Sequence, residues 1–408
     1  MTMIRYEIKK ILSKTGSKIA ILCLLALMAV TCFFAANVGY VNESGETEMG
    51  VKAVRKLRQA QKEWAGVLDE DKLIRVIEKN RQIAESPEAK SEEIIQNEIA
   101  YSRRQDISEI RNLLNNSFSD GFRSFNYYRA DSLNAGDARN FYKNRAVLLK
   151  EWLDGDEADR FSEAKKKFLI DQYEALETPF YYDYMKGWTQ LFEYSTTIIM
   201  ITMLILGYLV SGIFSDEYRW KSDSVFFSSR YGRDRAVTAK IMSGAIIVTT
   251  VYFITMMIYT TFVLTYFGAD GTACQIQADR SGWKSFYNLL NWQEYVIIVA
   301  GGYIGCLFMS LLTMAVSAKT SSGVFPVTIP FVMIFLPSFV SNFNVLEGLL
   351  GLLPDRLLQM NLSLKYFDLY EFGGKVIGAV PILFVLYGIF IIILTPLCYR
   401  CYKNKQIL

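Results

Sequence analysis

The sequence predicts an all-α membrane protein: six transmembrane helices, an amphipathic N-terminal helix, and a helical exterior domain between spans one and two. Three observations carry this. The chain is 51% hydrophobic yet 21% charged, a mixture that suggests a membrane part beside a polar part. Six apolar runs approach the roughly 20 residues a helix needs to cross the hydrocarbon core. Lysine and arginine gather on alternate connections.

Residues 1–18 form a polar leader. In "MIRYEIKKILSK", Met3, Ile4, Ile8, Ile11 and Leu12 fall near one helical face with basic residues flanking it, the pattern of a helix lying on a membrane surface. The spans read as 19–41, 190–214, 241–267, 294–317, 323–342 and 376–398. The first is expected to stay uncleaved, because a polar region 18 residues long precedes an apolar run longer than a signal-peptide core. The fifth carries Pro326, Pro330 and Pro337, which bundled spans tolerate when neighbours satisfy the freed carbonyls; local kinks are the expected result.

Orientation follows from the flanks. The leader, the connector 215–240, Lys319 and the tail 399–408 hold 15 basic against 5 acidic residues. The loops 268–293 and 343–375 hold 5 basic and 6 acidic. Both termini are therefore expected in the cytoplasm.

Residues 42–189 read as the exterior domain. Between 42 and 187 it carries 24 basic and 28 acidic residues, a balance that argues against a nucleic-acid partner. "VKAVRKLRQAQKEWAGVL", "DKLIRVIEKNRQIAES" and "EEIIQNEIAYSRRQDISEIRNLL" space apolar residues by three and four, so an almost entirely helical domain is expected. Pro87 is expected to open one helix, and "DGDEADRFSEAKKKFLIDQYEAL" reads as another with acidic residues in its first turn. The cluster "FSDGFRSFNYY" at 118–128 is expected to fill a small core. Tyr181, Tyr182, Tyr184 and Trp188 admit two readings: an interfacial aromatic belt, or a vestibule contacting an amphipathic substrate.

The connector 215–240 is more elaborate than a turn. "SDEYRWKSDSVFF" reads as one short helix capped by Ser215 or Asp216, and "SSRYGRDR" breaks it with Gly232 as the turn. Tyr218, Trp220, Val225, Phe226 and Phe227 give more apolar surface than so short a helix buries. A soluble partner gripping the helix and contact with anionic headgroups both remain open on this pattern.

Chemistry is scarce. There are no histidines, which removes the commonest metal ligand and general base. No phosphate-binding GxxxxGK[ST] loop, HExxH or GxSxG occurs, so the chain is not expected to be an enzyme. "CYRC" at 398–401 lacks a second pair for a metal site. "GGYIG" at 301–305 reads as small residues for close helix packing. Glu193, Glu294 and Lys319 sit near span ends, where they are expected to snorkel rather than form an ion relay.

The connector resembles the cytoplasmic loop of ABC-2-type transporter permeases. Phe214, Glu217, Ser228–Ser229, Arg233 and Lys240 match that family's pattern, although its glycine after the glutamate and its turn proline are absent. The leader with Glu7, Lys9 and Lys10 is similar to the family's elbow helix, and the six spans and the Leu353–Pro354 region also fit. The resemblance implies a bacterial cell-membrane exporter of a hydrophobic or amphipathic compound such as a peptide antibiotic, lipid or drug. It implies a separate P-loop ATPase subunit that binds ATP and Mg, and a second permease, identical or related. Glu217, Arg219, Trp220, Phe226 and Arg233 would then couple that ATPase to the spans. The competing reading is a non-transporting membrane sensor or scaffold whose exterior domain binds a ligand.

Overall fold

The structure is a computed structural model and describes residues 2–155, 158–229, 231–320, 322–340 and 347–404. Five helices are long and apolar enough to cross a membrane: Thr15–Ala35, Lys186–Ser211, Arg235–Phe267, Asn291–Thr320 and Ala379–Lys403. They are called here the first to fifth long helices. The second packs against the first, third and fourth, the fourth packs on the fifth, and the amphipathic helix Thr2–Leu12 lies against the third. The protein is thus a mostly helical membrane protein. Several long helices extend beyond the expected spans, the third beginning at Arg235 rather than 241. A helix that satisfies its own backbone continues past the hydrocarbon edge without penalty.

The expected fifth span, 323–342, has no long helix among its described residues. A 3-10 turn, Phe325–Val327, leads into the apolar helix Thr328–Val340 with Pro337 inside it. Thirteen residues extend about 20 Å, short of the roughly 30 Å hydrocarbon core. Its expected end at 341–342 lies outside the described residues. Pro330 instead seats this helix on the second long helix, where a Cβ at Gly207 would fall 2.4 Å from the proline ring.

The insertion is helical over Val51–Lys62, Glu70–Ala84, Ile94–Arg104, Ser108–Ser117, Phe141–Asp154 and Glu163–Glu174. It is not purely so. Gly39–Val41 pairs with Thr47–Met49, and Gly66–Val67 pairs with Tyr181–Tyr182. These strands are too short and too polar to show a period of two. Pro87 opens no helix; Ser86 accepts from the Ala89 amide to make a local turn, and the next helix starts at Ile94. The last insertion helix begins only at Glu163, because Ser162 caps it by accepting from the Lys165 amide.

The insertion, the 268–290 loop and the segment before the fifth long helix are bound into one cap. Arg145 is buried and, among the described residues, pairs with no carboxylate: it donates to the Ser285 carbonyl at 2.8 Å, with the Tyr173 and Trp283 ring centroids 4.4 and 5.3 Å away. Phe122 stacks on Trp152 and on Phe367, at 5.1 and 5.7 Å. Phe122 thus joins a core as expected of the 118–128 cluster, while Tyr128 of the same stretch is exposed. Glu294 does not snorkel. It is 1% exposed, 3.8 Å from Lys365, beneath the 355–366 segment.

The "GGYIG" glycines do permit close packing, against that same segment as well as against helices. A Cβ at Gly301 would meet Met360 at 2.7 Å, one at Gly305 would meet Leu358 at 2.8 Å, and one at Gly302 would meet the Tyr252 hydroxyl at 2.5 Å. A Cβ at Gly388 would meet nothing within 4 Å. Gly302→Val is therefore expected to destabilise by about 1–3 kcal/mol through overpacking, and Gly388→Val to be near neutral. Thermal unfolding of both variants in detergent, read by intrinsic fluorescence, checks the contrast.

Candidate functional site

At the end of the bundle opposite the cap, four separate parts of the chain meet at one carboxylate. Glu217 accepts from the ammonium groups of Lys10 and Lys240, each at 2.6 Å, and from the Tyr402 hydroxyl at 3.5 Å. Lys10 comes from the amphipathic helix, Lys240 from the first turns of the third long helix, and Tyr402 from the last turn of the fifth. Lys240 is 0% exposed and also donates to the Ile213 carbonyl at 2.8 Å and to Glu7 at 3.3 Å. A buried ammonium is tolerated only with this kind of saturation. Lys14 pairs with Asp216 beside it.

The backbone delivers Glu217 through a device that was not expected. The connector forms two short helices, Asp216–Arg219 and Asp223–Ser228, in place of one. Lys221 adopts φ +55°, and the Ser222 amide donates back to the Glu217 carbonyl at 2.8 Å. A left-handed residue with a bond spanning five positions is a Schellman-type stop. Ser215 occupies the cap position without a side-chain cap bond, and Asp216 spends its carboxylate on Lys14. Gly232 serves the turn by close approach, since a Cβ there would lie 1.9 Å from the Phe226 carbonyl oxygen.

The aromatic residues divide into two groups. Phe214 and Phe227 are buried against Tyr402, at centroid distances of 4.6 and 5.2 Å, with half-buried Phe226 at 6.1 Å. Trp220 is 54% exposed and Val225 is 72% exposed. The Trp220 ring lies 5.1 Å from the Lys10 ammonium and 5.8 Å from that of Lys14. Both border a 970 Å³ groove between the connector and the amphipathic helix, floored by Phe226 and Ala239 and edged by Met3 and Tyr6. Arg219 is exposed next to Trp220. Arg233 sits elsewhere, donating to the Lys403 carbonyl at 3.2 Å with the Phe227 ring 5.0 Å from its guanidinium. So Glu217, Trp220 and Phe226 share one groove, Arg219 lines the neighbouring pocket with Ser215 and Asp216, and Arg233 secures the connector to the end of the fifth long helix.

The four aromatics named before the second long helix are mostly core. Tyr182, Tyr184 and Trp188 are buried, and only Tyr181 is exposed. Among the described residues no group of three histidine, cysteine, aspartate or glutamate side chains is placed to hold a metal.

Sequence reasoning named Glu217 but did not foresee its partners as a set. Lys240 enters the sequence reading as part of the family's connector pattern and Glu7 and Lys10 as part of its elbow helix, none of them as a partner of Glu217, and Tyr402 only as part of the tail 399–408. The available signal was a lysine within an amphipathic leader facing a lone glutamate just beyond a span, which specifies a pair only once the helices are packed.

Burial pushes the Glu217 carboxyl up, but the ammonium groups of Lys240 and Lys10 outweigh it and hold the carboxyl below its ordinary 4.5. Lys10 is held above 10.5: burial lowers it, and attraction to Glu217 more than reverses this. A carboxylate held below its unfolded value stabilises the fold above about pH 4.5, and that contribution is lost as acid protonates it. Acid titration of thermal stability should show a Glu217-dependent loss below pH 4.5, absent in Glu217→Gln. Lys240→Met, which strands Glu217 beside fewer cations, should cost about 3–5 kcal/mol, with much of the loss recovered in Lys240→Met/Glu217→Leu. Unfolding midpoints of the single and double variants check the pairing.

Compared with protein-family models, with curated proteins and with solved structures, the chain matches none.

Proposed function

We propose that this chain is the membrane permease of an ATP-driven exporter whose ATPase is a separate subunit docking on the connector. The single observation that carries this reading is the pairing of an anchored base with an exposed apolar tip. Glu217 is locked to three helices, while Trp220 and Val225, three and eight residues further on, stand exposed at the rim of the groove. A partner that pushes on Trp220 and Val225 therefore pulls, through Glu217, on the amphipathic helix and on the ends of the third and fifth long helices.

In this reading the basic end faces the cytoplasm, as the excess of lysine and arginine on that side favours, and the cap faces outward. Two permease subunits, identical or related, enclose the substrate path. The chain binds no nucleotide itself; ATP and Mg belong to the partner. Glu217 and Arg233 transmit movement, and Trp220, Phe226 and Arg219 form the docking surface.

The experiment is to purify the complex from native membranes in mild detergent and detect the retained ATPase by photolabelling with an azido-ATP analogue. Val225→Asp and Trp220→Ala should each lower ATPase retention about tenfold or more, as loss of an exposed apolar anchor does at an interface. Their thermal stability should stay near that of the parent. A labelled ATPase retained equally by both variants would overturn the docking assignment. Absence of any ATPase would favour the sensor reading.

A further inference from the structure

The pocket beside the Trp220 groove has a different chemistry. It measures 860 Å³ and lies where four parts of the chain meet: the start of the first long helix, the end of the second, the connector, and the turn before Thr328–Val340. Lys14 and Arg219 bring two cations to its lining, against one carboxylate, Asp216. That carboxylate is spent on Lys14, and the pair packs against the backbone of Gly212. Arg219 is exposed and forms no ion pair among the described residues. The pocket therefore keeps one cation in surplus.

Two further features aim donors into the same space. The first long helix begins at Thr15 with Lys14 in the cap position, and the Lys14 side chain caps nothing. The amides that open this membrane-length helix thus lack a side-chain acceptor, and they carry its positive partial charge. Independently, Ser17 and Ser215 line the pocket and are each 3% exposed. Neither hydroxyl is hydrogen-bonded among the described residues, and Ser215 forgoes the cap bond open to it at the start of Asp216–Arg219. A hydroxyl so nearly buried costs free energy until an acceptor reaches it. Guanidinium, hydroxyls and helix amides all call for one kind of ligand. A phosphate, whose oxygens accept on several sides at once, satisfies them together.

The pocket also has an apolar exit. Tyr208 and Val324, both exposed, belong to its wall, and Thr328 lies at its edge. From Thr328 the apolar helix runs away from the basic end, and Phe331 and Phe335, three and seven residues on, share its face. Both are exposed, with ring centroids 4.5 Å apart. We propose that this pocket holds the phosphate of an anionic phospholipid from the leaflet at the basic end. Arg219 and the hydroxyls of Ser17 and Ser215 donate to the phosphate, and an acyl chain lies along Phe331 and Phe335. Free phosphate shares the headgroup chemistry but has no use for the aromatic track. The claim stands on the pocket and does not require the transport reading above.

The test uses the purified full chain in dodecylmaltoside, titrated with tail-labelled fluorescent phosphatidylglycerol or phosphatidylcholine, with inorganic phosphate as competitor. Phosphatidylglycerol should bind saturably and about fivefold or more tighter than phosphatidylcholine, whose own cation opposes the surplus charge. Millimolar inorganic phosphate should displace little of it. Arg219→Gln should weaken phosphatidylglycerol about tenfold, as loss of a charge-assisted hydrogen bond does, and Ser17→Ala and Ser215→Ala about threefold each. Val324→Lys, which adds a cation at an exposed position of the wall, should tighten it about fivefold, a gain that misfolding cannot mimic. Equal binding of the two lipids, full displacement by inorganic phosphate, or phosphatidylglycerol affinity unchanged in all four variants overturns the proposal. ATPase retention is read on the same preparations. Arg219→Gln that loses the ATPase but keeps the lipid sinks this proposal alone, and loss of lipid with the ATPase retained supports it, so the two readings fail separately.

Discussion

A fully buried ammonium, that of Lys240, constrains the whole basic end of the molecule. Desolvating an ammonium costs several kcal/mol, and only close carboxylates with further acceptors offset that cost. Here the compensation comes from elsewhere in the chain. Glu217 belongs to the connector, Glu7 to the amphipathic helix, and the Ile213 carbonyl to the end of the second long helix. No one of these segments can leave without stranding the charge. The position of the connector, the seat of the leader and the start of the third long helix are consequently one structural variable rather than three.

The two ends of the bundle solve the problem of buried charge in different ways. At the basic end, opposite charges meet at 2.6 Å. In the cap, Arg145 has ring faces and a backbone carbonyl instead of a carboxylate. Burial accordingly lowers its pKa, with nearby Tyr173 opposing. Ring faces and aromatic stacking hold three loops together without requiring each to supply a counter-charge. Between the ends, the glycines of the fourth long helix let Met360 and Leu358 approach the helix backbone, so the cap is joined to the bundle by contact of surfaces rather than by a flexible tether.

Much of this was legible in the sequence because it depends on local pattern. Long apolar runs located the long helices, spacing of three and four located Val51–Lys62 and Glu70–Ala84 but neither the break between Ile94–Arg104 and Ser108–Ser117 nor the helix Phe141–Asp154, and the leader's apolar stripe located the amphipathic helix. What was not legible depends on partners far apart in sequence. Glu294 looked like a snorkelling end residue because its cover, Lys365, lies 71 positions away, by subtraction of their numbers. Tyr182 and Tyr184 read as a membrane belt or a substrate vestibule, yet Tyr182 sits in a two-residue strand paired with Gly66 and is buried with Tyr184. The connector looked like one helix, since nothing about a lysine announces a left-handed φ. The proline-bearing apolar run 323–342 is helical from Thr328 to Val340, and its end lies outside the described residues.

The division among the connector's aromatics follows from the same constraint. Phe214 and Phe227 are buried because Tyr402 must come close enough for its hydroxyl to reach Glu217, and its ring brings them with it. Trp220 has no such obligation: it ends the short helix Asp216–Arg219, just ahead of the stop at Lys221. The two lysines nearest its ring, Lys10 and Lys14, are already neutralised by Glu217 and Asp216. Trp220 and Val225 thus stand over two lysines balanced by carboxylates, with Arg219 and Lys221 exposed at their flank. Charge at this end holds the chain to itself, through the pairs of Lys10 and Lys240 with Glu217 and of Lys14 with Asp216.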